Sequence, residues 1–189
     1  MAKFYREGFI MTGKLADKNI LMVIAPKNFR DEELNHPKEI FEKEGAKVTI
    51  GCKQMGKCSG MLGAAATPDI LIKDAKADDY DAVIVVGGNG SPEHLWNDSQ
   101  LHKVIQDADK SGKVVAAICL SGAVLAKAGV LKNREATVYE TPESLKELQN
   151  GGAKFIRKDV VISGKVITAN GPEAAKDFGK AIVEGIIKG

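Results

Sequence analysis

The chain has 189 residues, 44% of them apolar and 28% charged, with a formal net charge of +2. That length suits one domain with its own core, and the composition excludes a disordered chain or one built to span a membrane. Acidic and basic residues interleave, no basic stripe forms and aromatics make up 5%, which argues against nucleic acid as the main partner. Three cysteines in a chain this long suit a reduced, cytoplasmic protein better than a disulfide framework.

Residues 1–17 read as an extension ahead of a single domain over residues 18–189. Charges recur every few positions there, and the apolar patch Phe9-Ile10-Met11 is too short for a signal-peptide core. Ile20 to Ala25 is a continuous apolar run, the mark of a strand covered on both faces. Pro26, Lys27 and Asn28 break it, and Asp31-Glu32-Glu33 opens a helix whose stripe is Leu34, Ile40 and Phe41 and whose stop is Gly45. Lys47 to Ile50 is a second strand, so a β-α-β unit and a parallel sheet are expected.

Gly51 to Ala66 is glycine-rich without a clear period and reads as hairpin or loop. Ala82 to Val86 is another buried strand, ended by Gly87-Gly88-Asn89-Gly90-Ser91-Pro92. Leu101, Val104, Ile105 and Ala108 mark a helix closed by Gly112. Val114 to Ile118 is the next strand, and a helix with Val124, Leu125 and Ala128 inside follows at once, stopping at Gly129. Thr141-Pro142-Glu143 carries a capping hydroxyl, a first-turn proline and an acid facing the dipole. Val160 to Ile162 and Val166 to Thr168 form a hairpin around Ser163-Gly164-Lys165, and Pro172 opens a last helix with Phe178, Ile182, Val183 and Ile186 on one face. One doubly wound α/β domain accounts for all of this.

Cys119 carries the strongest chemical signal. It ends a buried strand and starts a helix, with small residues, Ala117 and Ser121, two positions to either side. A nucleophile elbow needs small neighbours there because the chain folds back on itself. A thiol at a helix N-terminus is expected to have a lowered pKa; its bland alternative is a buried small hydrophobe. The Gly87-Gly88 pair lets the backbone approach a substrate, so the amides of Gly88 and Leu120 are candidate oxyanion donors, the alternative being a plain turn. Glu33 either directs a carboxyl group at the thiol or is an ordinary first-turn acid.

Other signals are weaker. Gly51 to Cys58 copies a phosphate loop's glycine-lysine spacing but lacks the Ser/Thr after lysine. Cys52 and Cys58 have no nearby histidine and the wrong spacing for zinc. Asn97-Asp98-Ser99 is a glycosylation triplet without meaning in a cytoplasmic chain. Of His36, His94 and His102, His94 alone, beside Glu93 and the glycine loop, stands near the candidate site. Trp96 reads as a packing residue or interface anchor.

Four segments together resemble the PfpI family of the class I glutamine-amidotransferase-like superfamily. They are Phe29-Arg30-Asp31-Glu32-Glu33-Leu34 with Pro37, Asp81 to Gly88, Ala116-Ala117-Ile118-Cys119, and Ile167 to Pro172. The resemblance implies a flavodoxin-like sandwich with helices on both faces, a homodimer or larger oligomer, and a site needing no metal or organic cofactor. It assigns Cys119 as nucleophile, Glu33 as the acid hydrogen-bonded to it, and Gly88 and Leu120 as oxyanion-hole amides. Glu93 resembles an acid donated across a subunit interface in protease-like members. Those members carry histidine where this chain has Leu120. Deglycase-like relatives place a histidine where it has Tyr139, and often an arginine where it has Asn170.

A Cys-His-Glu triad therefore cannot be assembled from matching positions, and peptidase activity is disfavoured. The expectation is a cysteine enzyme acting on a small carbonyl or amide through Cys119, with Asn89, Tyr139 and His94 near the substrate. The rival expectation, from another class, is a redox-sensing or chaperone-like protein with an oxidisable Cys119.

Overall fold

Residues 13–188 are described by a computed structural model of the chain. Of the expected extension, residues 1–12 lie outside the described residues; Leu15 is fully buried, and its N–H bonds the Glu44 carbonyl. The first apolar run forms β1 (Asn19–Val23), buried from Ile20 onward. Where Pro26 to Asn28 were expected only to break the chain, a short strand β2 (Lys27–Phe29) forms. The acidic stretch then opens α1 (Asp31–Lys43), which buries Leu34 and Phe41, and β3 (Lys47–Cys52) follows.

The glycine-rich segment read as hairpin or loop contains β4 (Cys58–Gly60) and β5 (Ala65–Ala66), an antiparallel pair that joins β2 in a small side sheet. Asp31 fixes it by accepting the N–H groups of Leu62 at 2.9 Å and Ala64 at 2.6 Å. The chain continues through β6 (Ile70–Leu71) and β7 (Ala82–Val85) to α2 (Ser91–His94) and α3 (Ser99–Lys110). The short α2 was not expected; Pro92 in its first turn suits a helix start. The side chain of Asp98 caps α3.

The fully buried β8 (Val114–Ile118) passes through a 3-10 turn, Cys119–Ser121, into α4 (Gly122–Lys127). After β9 (Glu135–Ala136), Thr141 and Ser144 form a reciprocal capping box on α5 (Pro142–Asn150). The strands β10 (Lys154–Phe155), β11 (Val160–Ser163) and β12 (Val166–Ala169) precede α6 (Ala175–Ile187). Pro172 does not open α6 but a separate 3-10 turn, Pro172–Ala174. The last helix is thus displaced three residues from its expected start.

The main sheet has seven strands in the order β11-β12-β8-β7-β1-β3-β6. All its pairs are parallel except the β11–β12 hairpin. From β1 the chain first steps to β3 on one side, then returns to lay β7 on the other. Right-handed crossovers place α1 on one face of the sheet and α3 on the other, α6 returns to pack beside α1, and the crevice at the carboxyl ends of β1 and β7 is where such folds hold ligands. Among the described residues, no helix is long and apolar enough to cross a membrane.

Candidate active site

Three chain segments meet at the carboxyl edge of β1, β7 and β8. Cys119 sits where β8 turns, with φ +60°, a left-handed conformation that costs a non-glycine residue about 1–3 kcal/mol. Buried contacts hold that turn. Ser121 Oγ donates to the Val86 carbonyl and shares a 2.7 Å hydrogen bond with Ser91 Oγ, and Trp96 Nε1 donates to the Leu120 carbonyl at 2.9 Å. Tyr139 N–H donates to the Cys119 carbonyl at 3.2 Å.

Glu33 comes from the first turn of α1 and is fully buried. Its Oε2 accepts the Gly87 N–H at 3.0 Å, while Oε1 is buried without a hydrogen-bond partner among the described residues. The neighbouring polar side chain is the Cys119 thiol, whose interaction with the carboxyl group opposes the effect of burial. The approach is so close that a Cβ on Gly87 would collide with the Glu33 carboxyl group and lie 2.6 Å from Cys119 Cβ. Gly88, at φ +106°, takes a conformation that favours glycine and runs against the backbone of Asn28, Phe29 and Arg30.

Burial decides the proton affinities. It pushes the Glu33 carboxyl from 4.5 up to about 8, against the thiol, the Gly87 amide and Arg30, which favour the anion. The positive end of α1 is worth at most about 2 kcal/mol to a carboxylate, less than the cost of hiding the charge from water. Cys119 moves up as well, to about 12, first through burial and then through the Glu33 charge. Gly88 and Leu120 amides pull it back by hydrogen-bonding the sulfur. This corrects the expected lowering of the thiol pKa: the residue is 7% exposed, and the helix behind it has only six residues. With two interacting acids this close, protons leave the pair rather than either group alone, and a neutral Glu33 removes one of the effects opposing a thiolate.

In front of the sulfur lies a cleft of about 860 Å³. Asn89, Tyr139, Gly88 and Leu120, all singled out from the sequence, line it together with Cys119. Glu93 and His94 do not: they face each other across 3.7 Å on α2, and the Glu93 side chain is 78% exposed. His36 and His102 do not line it either. Sequence reasoning did not single out Met61, Glu140, Asp159, Glu173 and Asp177, which complete the lining together with Arg30. Arg30 is held by Glu32 through bonds of 2.8 and 3.0 Å, and Arg157 grips Glu140. Among the described residues, no group of three or more His, Cys, Asp or Glu side chains is disposed to hold a metal ion.

Residues 18–185 match the DJ-1/PfpI family model. The chain belongs to the DJ-1/PfpI family. It is 46% identical to an uncharacterised protein of Methanocaldococcus jannaschii over 174 residues, 92% of this chain and 85% of that one. It is 29% identical over 169 residues, 89% of each chain, to a glutathione-independent glyoxalase of Caenorhabditis elegans. A deglycase of Thermococcus kodakarensis is also 29% identical, over 152 residues covering 80% of this chain and 90% of that one. A ThiJ/PfpI domain protein from Brachyspira murdochii superposes with a TM-score of 0.84 at 33% identity, covering 89% of this chain and 95% of that one. The mostly parallel α/β sheet is thus the DJ-1/PfpI fold.

Proposed function

We propose that this DJ-1/PfpI protein is a cofactor-independent cysteine enzyme that converts small reactive carbonyl compounds, with glyoxalase or deglycase chemistry as the leading form. The observation carrying this reading is the buried Glu33, with one oxygen fixed by Gly87 and the other unpartnered beside Cys119. An acid with a pKa of about 8 holds its proton at neutral pH and can give it up and take it back, as a proton shuttle must. The glyoxalase and deglycase relatives support the reaction class.

With a dicarbonyl such as methylglyoxal, the Cys119 sulfur adds to the aldehyde carbon, and the resulting alkoxide receives a proton by way of Glu33. The Gly88 and Leu120 amides, which favour an anionic sulfur, are the donors assigned to that developing charge. Glu33 then moves the C1 proton to C2 through an enediol, leaving a thioester on sulfur. Water releases the 2-hydroxy acid and restores the thiol. The same thiol-acid pair suits attack on a small amide.

The cleft also constrains the substrate. Of the four carboxylates lining it, Glu140 is paired with Arg157 and Asp177 with Lys180, which leaves Asp159 and Glu173 against one arginine already occupied by Glu32, so neutral or cationic carbonyl compounds are favoured over anionic ones. Peptide hydrolysis lacks the histidine that protease-like members use as base, since among the described residues no histidine lines the cleft. A homo-oligomer belongs to the same proposal, the exposed Glu93 being available to a neighbouring copy. The test is methylglyoxal turnover: Cys119→Ala should abolish it and Glu33→Gln should lower kcat by about 10²–10⁴-fold. Unchanged turnover in either variant overturns the assigned chemistry.

A further inference from the structure

The remaining two cysteines, set aside in the sequence as unfit for zinc, meet in the fold. Cys52 ends β3 and Cys58 begins β4, and both are fully buried. Their sulfurs lie 3.8 Å apart, and the Cys58 thiol also faces the Gly56 carbonyl at 3.7 Å. Every residue between them, Lys53 to Lys57, is exposed, and Gly56 at φ +94° has open space where a side chain would be. A disulfide needs its sulfurs about 2.05 Å apart. The missing distance is under 2 Å, and the five-residue connection that must yield is free of packing on its outer side.

We propose that Cys52 and Cys58 form a reversible dithiol–disulfide pair that staples the β3–β4 connection. With a hydroperoxide as oxidant, one thiol takes an oxygen to become a sulfenic acid while the hydroperoxide leaves as alcohol or water. The second thiol attacks the sulfenic sulfur, the S–S bond forms, and a second water departs. Two thiols lose two electrons, both taken by the peroxide O–O bond. Burial and the neighbouring thiol push Cys58 up to about 12, which disfavours the attacking thiolate and slows oxidation. The staple lies behind one wall of the cleft. From Cys58 the chain runs through β4 and Gly60, packed on the Asp31 carboxyl group, to Met61 at the cleft edge. There Met61 Sδ accepts the Asn89 N–H at 3.4 Å.

Trypsin supplies a direct readout, because Lys53 and Lys57 lie between the two cysteines. Native protein in the Cys119→Ala background, incubated with hydrogen peroxide and then alkylated, should yield a cross-linked pair of peptides, residues 48–53 joined to 58–73. The cross-link should vanish on reduction and be absent from Cys52→Ser and Cys58→Ser. The oxidised protein should melt above the reduced one by several degrees, on the order of 5 °C for so short a loop. Free, alkylatable thiols at both positions after overnight oxidation would overturn the proposal. So would cross-links only between separate chains, or a melting temperature lowered by oxidation.

Discussion

Replacing Glu33 by Gln removes an ionisable group while keeping a side chain of the same shape that can still accept the Gly87 N–H. In the folded chain the carboxyl titrates at about 8 against an ordinary 4.5. Below pH 4.5 it is neutral in both folded and unfolded chains, and its contribution to stability is complete. As the pH rises past that value the unfolded chain ionises while the folded one does not, so stability falls until about pH 8 and then levels off. At 1.36 kcal/mol per pH unit the whole displacement is worth about 5 kcal/mol, and about 4 kcal/mol of it falls between pH 5 and pH 9. Urea unfolding of wild type and Glu33→Gln at these two pH values measures it. The variant should gain several kcal/mol on the wild type at pH 9 relative to pH 5. Parallel pH profiles would show that Glu33 is not a high-pKa buried acid and would refute the proton-shuttle argument with it.

Gly87→Ala places a Cβ against the Glu33 carboxyl group, 2.6 Å from both Cys119 Cβ and the Ile118 carbonyl. It should cost about 1–3 kcal/mol in chemical denaturation and most of the activity, since the acid and the thiol must separate to admit it. Trp96→Phe leaves the Leu120 carbonyl without its indole donor; a loss of about 1–3 kcal/mol and a fall in kcat with little change in KM are expected, because the indole anchors the residue whose N–H, in the preceding peptide, is the candidate oxyanion donor. His94→Ala should leave casein hydrolysis as negligible as in wild type, His94 being outside the cleft; a measurable peptidase activity lost in the variant would contradict the exclusion of proteolysis.

The centre of this site was legible because each part lies at a strand end or helix start with a local signature. A buried run stopping at Cys119, a glycine pair closing β7 and an acid in the first turn of α1 are readable one segment at a time. The rest of the cleft's lining is not. Glu140, Asp159, Glu173 and Asp177 come from segments after β9 and line the same cleft as Cys119; the pairing of β12 with β8 carries the residues around β12 to it, and the Tyr139 N–H on the Cys119 carbonyl carries Glu140. The thiol pKa was misjudged for a related reason. A helix N-terminus is a local feature, whereas desolvation depends on everything packed around Cys119, including Glu33 from far earlier in the chain. The side sheet of β2, β4 and β5 escaped because its strands have two or three residues and owe their form to the Asp31 carboxyl group rather than to a periodic pattern.

Following methylglyoxal by proton NMR with wild type, Cys119→Ala and a Cys52→Ser/Cys58→Ser double variant tests the central claim most directly. The prediction is that the wild type and the double variant form lactate at similar rates, while Cys119→Ala forms none above the uncatalysed background. Lactate produced by Cys119→Ala at the wild-type rate, or by none of the three proteins, would contradict the assignment of Cys119 as the nucleophile of a carbonyl-converting enzyme.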